Sequence, residues 1–72
     1  MDICRAFGHN VRVLRESRSW SQEQLAEVSG LHRTYISGIE RGVRNPTLTI
    51  VETIARAFGV PPSQLLQETD ES

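Results

Sequence analysis

Seventy-two residues leave room for one small hydrophobic core and not for two. With 38% hydrophobic and 24% charged residues the composition is that of a folded globular domain, and no stretch approaches the roughly 18 consecutive apolar residues of a bilayer span. The net charge of -1 is unevenly placed, because Glu68, Asp70 and Glu71 fall within the last five residues; without them eight arginines face six acids, a net of +2, with no lysine at all. An all-arginine basic set favours bidentate recognition of phosphate or guanine, or buried pairing, over plain solubility. Residues 1–13 carry Arg5, His9, Asn10 and Arg12 where a secretory signal needs an apolar run. The single cysteine, Cys4, makes no internal disulfide, which suits a reducing compartment, and the cytoplasm is the expected location.

In chain order, Ile3, Phe7, Val11 and Leu14 recur at helical spacing between arginines and predict a first amphipathic helix over about residues 3–17. Ser21 to Gln24 forms a capping box that opens a second helix over about 22–28, with Trp20 and Leu25 placed as a hydrophobic staple and Trp20 expected in the core. Ser29-Gly30 ends it, since glycine accepts positive φ. Ile36 and Ile39 mark the buried side of a third helix over about 33–41, stopped by Gly42. Leu48, Val51, Ile54, Ala55 and Phe58 give the stripe of a fourth, over about 48–58, capped either by Thr47 or by Thr49 with Glu52. Pro61-Pro62 allows a fifth over about 62–67, with Leu65 and Leu66 facing inward. The expectation is a compact all-α, five-helix domain over residues 1–67, followed by a frayed acidic tail over 68–72.

Two short helices joined by a tight turn containing Gly30 have the layout of a helix-turn-helix, in which the second helix enters the major groove. Spacing alone does not separate that use from plain helical packing. The residues go further. Ser21-Gln22-Glu23-Gln24-Leu25-Ala26, Gly30-Leu31, the run Arg33-Thr34-Tyr35-Ile36-Ser37-Gly38-Ile39-Glu40-Arg41-Gly42, and Arg44-Asn45-Pro46-Thr47-Leu48 resemble the lambda-repressor-like (Cro/repressor, xenobiotic-response-element) family. The likeness spans about residues 5–66, and the 33–40 stretch is especially similar to the short controller proteins of restriction–modification systems.

The resemblance implies that helices two and three form a DNA-reading unit. His32, Arg33, Thr34 and Ser37 take the base-facing positions; Arg has the donors for guanine O6 and N7, and the Thr methyl suits the thymine methyl. Gln22, Tyr35, Arg41 and Arg44 fall where the backbone is held, Gln22 at a helix N-terminus that favours an anion. The family pattern also pairs Glu40 with Arg15 in a buried structural ion pair. Gly38 departs from it: many relatives place a long reading side chain there, so either the backbone approaches the DNA closely or fewer side chains share the readout. Trp20 is larger than the Leu or Met usual before the second cap.

Cys4, His9 and His32 make neither a metal spacing nor a nucleophile–base pair, so no enzyme, metal or cofactor is expected. The expected partner is double-stranded DNA carrying a palindromic operator, bound by a homodimer through Ile50, Leu65 and Leu66, with one leucine inward and the other at the interface. The rival reading is an antitoxin or co-regulator whose main role is to hold a partner protein.

Overall fold

The computed structural model describes residues 2–68, and among them five helices and no strand: α1 Ile3–Ser17, α2 Gln22–Ser29, α3 Arg33–Glu40, α4 Leu48–Phe58 and α5 Pro62–Leu65. Boundaries differ from the expected ones by a residue at the ends of α2 and α3 and by two at α5. Residues 69–72 of the expected tail lie outside the described residues. No helix among them is long and apolar enough to cross a membrane.

Each start has a local cause. The Asp2 carboxylate accepts from the Arg5 backbone N–H at 2.9 Å and so caps α1. At α2 the capping box closes both ways, with Ser21 Oγ accepting from the Gln24 N–H and Gln24 Oε1 accepting from the Ser21 N–H. Thr47, not Thr49, caps α4. Gly30 ends α2 in the left-handed region at φ 79° and so turns the chain toward α3.

Phe7, Val11, Leu25, Ile36, Ile39, Val51, Ile54, Ala55, Phe58 and Leu65 form one buried cluster drawn from all five helices. Trp20, expected in the core, is half-buried at its edge: its ring stacks on Phe58 with centroids 5.4 Å apart and 14° between planes, and the Arg18 guanidinium lies over both rings. Two members of the expected stripes stay outside. Ile3 and Leu48 open their helices, where side chains lean back toward the N-terminus and off the packed face, and they remain 57% and 83% exposed.

Of Leu65 and Leu66, expected one inward and one at an interface, Leu65 is the inward one. At 1% exposure it belongs to the monomer core, so it is withdrawn as a dimer contact, whereas Ile50 and Leu66 pack against the core half-buried. Asn10 of α1 reaches this end of the chain, its amide donating to the Leu65 carbonyl at 2.8 Å and to the Gln67 carbonyl at 2.7 Å. Those bonds tie the one-turn α5 to α1, and α5 also packs against α4, so that Leu65 faces the core.

Candidate nucleic-acid interface

The α2–turn–α3 unit is anchored from beneath. Ile36 and Ile39 are buried, and α1 approaches α3 so closely at Gly8 that a Cβ there would run into the Ile39 carbonyl oxygen. With that side pinned, α3 presents the opposite one outward. His32, Arg33, Thr34 and Arg41 are exposed, and Ser37 is half-buried between them. His32 occupies the N-cap position without a side-chain capping bond, so its ring is not used in starting the helix. Arg41 follows the last turn, its Nε donating to the Ser37 carbonyl at 3.3 Å.

Glu40 is the one acid on α3, and the fold removes it from that face. Arg15 Nε donates to Oε2 at 2.7 Å, while Arg15 Nη2 and Gln22 Nε2 each donate to Oε1 at 3.0 Å. The Arg15 and Glu40 side chains are 11% and 4% exposed. Hydrogen bonding to Glu40, more than its charge at a distance, raises the Arg15 guanidinium above its ordinary value against the opposing effect of burial. Arg15 Nη1 donates to the Trp20 carbonyl at 2.7 Å, so the same side chain also fixes the entry to α2.

Gln22, expected only at a phosphate, therefore has one amide N–H committed to Glu40. Its second N–H remains, at the open N-terminus of α2. This bridge was not legible in the sequence, because no spacing rule joins residues 18 apart on two different helices.

Arg44 and Tyr35 are also not where simple surface positions would put them. The Arg44 guanidinium carbon sits 5.4 Å from the Tyr35 ring centroid, and the Arg44 stem crosses α3 over Gly38, which is buried as a result. Gly38 thus does not expose bare backbone to a ligand; Arg44 covers it. The available signal was the glycine itself, in the middle of an eight-residue helix where it weakens the helix unless something needs the space.

Three arginines, Arg33, Arg41 and Arg44, thus stand exposed along one side of α3 and its following loop, while its acid is folded inward. Among the described residues no group of three His, Cys, Asp or Glu side chains converges as a metal site.

The model of the HTH_3 helix-turn-helix family matches residues 11–65, most of the chain. The chain belongs to that family. As a member it is a DNA-binding regulator of transcription. Control protein C.BamHI of Bacillus amyloliquefaciens is 55% identical over 64 residues, which cover 88% of this chain and 79% of that one. The crystal structure of the restriction-modification controller protein C.AhdI from Aeromonas hydrophila superposes with a TM-score of 0.82 at 42% identity, covering 86% of this helix-turn-helix chain and 94% of the other. The biofilm regulator SinR, solved in complex with DNA, superposes with a TM-score of 0.79 at 29% identity over 85% of this chain and 98% of its own.

Proposed function

We propose that this helix-turn-helix chain regulates transcription by reading duplex DNA in the major groove with α3, as a homodimer on two symmetry-related half-sites. The observation that carries the reading is the division of labour on α3: its acid is neutralised inside the fold while His32, Arg33, Thr34 and Arg41 stay exposed. In this reading His32, Arg33, Thr34 and Ser37 meet base edges, with Arg33 donating two bonds to a guanine. Gln22 uses its second amide N–H, Tyr35 its hydroxyl, and Arg41 and Arg44 their guanidinium groups on the phosphodiester backbone. The reading assigns no catalytic step and no cofactor, and it places the protein in the cytoplasm with its DNA. The control and controller roles named for C.BamHI and C.AhdI support a regulator of the restriction–modification kind.

Dimerisation follows from reach. An eight-residue helix is about 12 Å long and spans only a few base pairs, so a specific site needs two copies about 34 to 36 Å apart along the duplex. Ile50 and Leu66, half-buried on α4 and just after α5, are the apolar side chains offered for the contact.

Selection of bound sequences from a random duplex pool at two salt concentrations, with sedimentation of the complex, tests the reading. A symmetric site, a two-protomer complex and an affinity that falls with salt are expected. Arg33→Ala should cost about 1 to 3 kcal/mol and relax specificity at one base pair of each half-site. Salt-sensitive binding with no sequence preference, together with unchanged affinity in Arg33→Ala, would transfer the role to a partner protein.

A further inference from the structure

Gly38 is the one position on the outer side of α3 without a side chain, a helical turn beyond Thr34. The atoms that cover it belong to Arg44: a Cβ at position 38 would stand 2.8 Å from Arg44 Cγ, 3.1 Å from Nε and 3.5 Å from Cδ. The stem of the arginine from Cγ to Nε therefore lies in the space that any other residue would fill. Two further contacts fix where the stem leads. The Val43 N–H donates to the Gly38 carbonyl at 3.1 Å, which sets the start of the loop that delivers Arg44. The guanidinium then comes to rest over Tyr35, three residues before Gly38.

We propose that Gly38 is a positioning residue for DNA recognition: its missing side chain opens the seat in which Arg44 lies, and that seat, with the Tyr35 ring, holds the Arg44 guanidinium in the orientation used against the duplex. The inference rests on the DNA-reading function and deepens it. An arginine loses much rotamer freedom when it is fixed, so one already seated in the free protein loses less on binding. Glycine is the poorest helix former after proline, and the seat accounts for its place here. Alanine at position 38 would push the stem at Cγ, in its middle, and so lift the guanidinium off Tyr35. Arg44 is exposed and can swing into solvent, so the fold survives the change.

The test uses the full chain as Gly38→Ala, Arg44→Ala and the double variant. Gly38→Ala should unfold at the same temperature as the parent or higher, because the helix gains propensity. In the DNA-free protein the NMR signal of the Arg44 side-chain N–H should carry a Tyr35 ring-current shift that Gly38→Ala abolishes. On the duplex selected by the parent chain, Gly38→Ala should bind about three- to tenfold more weakly, and the double variant should bind as Arg44→Ala alone does. Parent-like binding by Gly38→Ala overturns the proposal. So does a double variant weaker than Arg44→Ala by the factor that separates Gly38→Ala from the parent, since Gly38 would then act without Arg44. If the parent chain selects no duplex, the DNA reading fails and takes the recognition role of Gly38 with it, and the NMR shift then reports only the seat.

Discussion

Arg15 and Glu40 meet fork to fork across 25 residues of sequence, in two bonds of 2.7 and 3.0 Å that tie α1 to the last residue of α3. Both side chains are almost out of solvent, so each neutralises a charge the other would leave stranded. Glu40→Ala should destabilise the domain by about 3 to 5 kcal/mol in urea unfolding, whereas replacing both partners by apolar residues of similar volume should cost much less. The sign of the pH dependence also follows. A guanidinium whose proton affinity is raised by folding contributes its full stabilisation below the unfolded value and loses it only as pH climbs through the folded one. That window lies in strong alkali, so a stability profile across neutral pH should show no step from Arg15.

Gln22 and Arg41 are expected at the same kind of partner and should fail differently. Gln22 carries no charge and also bridges to Glu40, so Gln22→Ala should lower both stability, by about 1 to 2 kcal/mol, and DNA affinity, while leaving the salt dependence of binding unchanged. Among the described residues the Arg41 side chain bonds the Ser37 carbonyl of its own helix end. Arg41→Ala should leave stability within about 0.5 kcal/mol and reduce the slope of log affinity against log salt by about 0.9. Titrations of fluorescent duplex at four salt concentrations separate the two.

What was legible in the sequence is what local rules govern. Caps at Ser21 and Thr47, the glycine stop at Gly30 and the Ile36–Ile39 pair each depend on neighbours within a turn or two, and the helices sit where those signals put them. Ile3 and Leu48 misled because periodicity does not register that a helix's first residue overhangs the packed face. Leu65 and Leu66 are adjacent and chemically identical, and which one turns inward depends on how α5 docks on α1 and α4, a placement to which the Asn10 bonds to the Leu65 and Gln67 carbonyls contribute. The site divides in the same way. Exposure of His32, Arg33 and Thr34 follows from the α3 period, whereas the Gln22–Glu40 bridge and the Arg44 seat are contacts between elements that no local pattern encodes.

Asn10 is a polar residue on α1 that no motif singled out, yet it satisfies two carbonyls at the end of α5. Asn10→Ala leaves those acceptors to water and removes the tie that keeps a one-turn helix in place. A loss of about 1 to 3 kcal/mol is expected, with faster amide exchange confined at first to residues 62–67. Exchange that rises equally through α3 would mean that the tie supports the whole domain and not its last turn.

Gly8 gives the sharpest contrast with Gly38, because the two glycines make room for different things. At Gly38 the neighbour is a side chain that can swing away; at Gly8 it is backbone, and a Cβ there would stand 3.1 and 3.2 Å from the Ile39 and Glu40 carbonyl carbons, with the Ile39 oxygen nearer still. Backbone pinned by Ile36 and Ile39 in the core has nowhere to go, so Gly8→Ala must drive α1 away from α3. The displacement would also stretch the Arg15–Glu40 fork, which joins the same two helices. Better helix propensity in α1 offsets at most about 1 kcal/mol, against an overpacking cost at the upper end of about 1 to 3 kcal/mol, because the blocking atoms are backbone. Gly8→Ala should therefore lower the unfolding midpoint strongly and reduce DNA affinity only in step with the unfolded fraction. A Gly8→Ala chain that unfolds at the parent temperature would show that α1 and α3 can separate without cost, and the buried anchor assigned to α3 would have to be sought elsewhere.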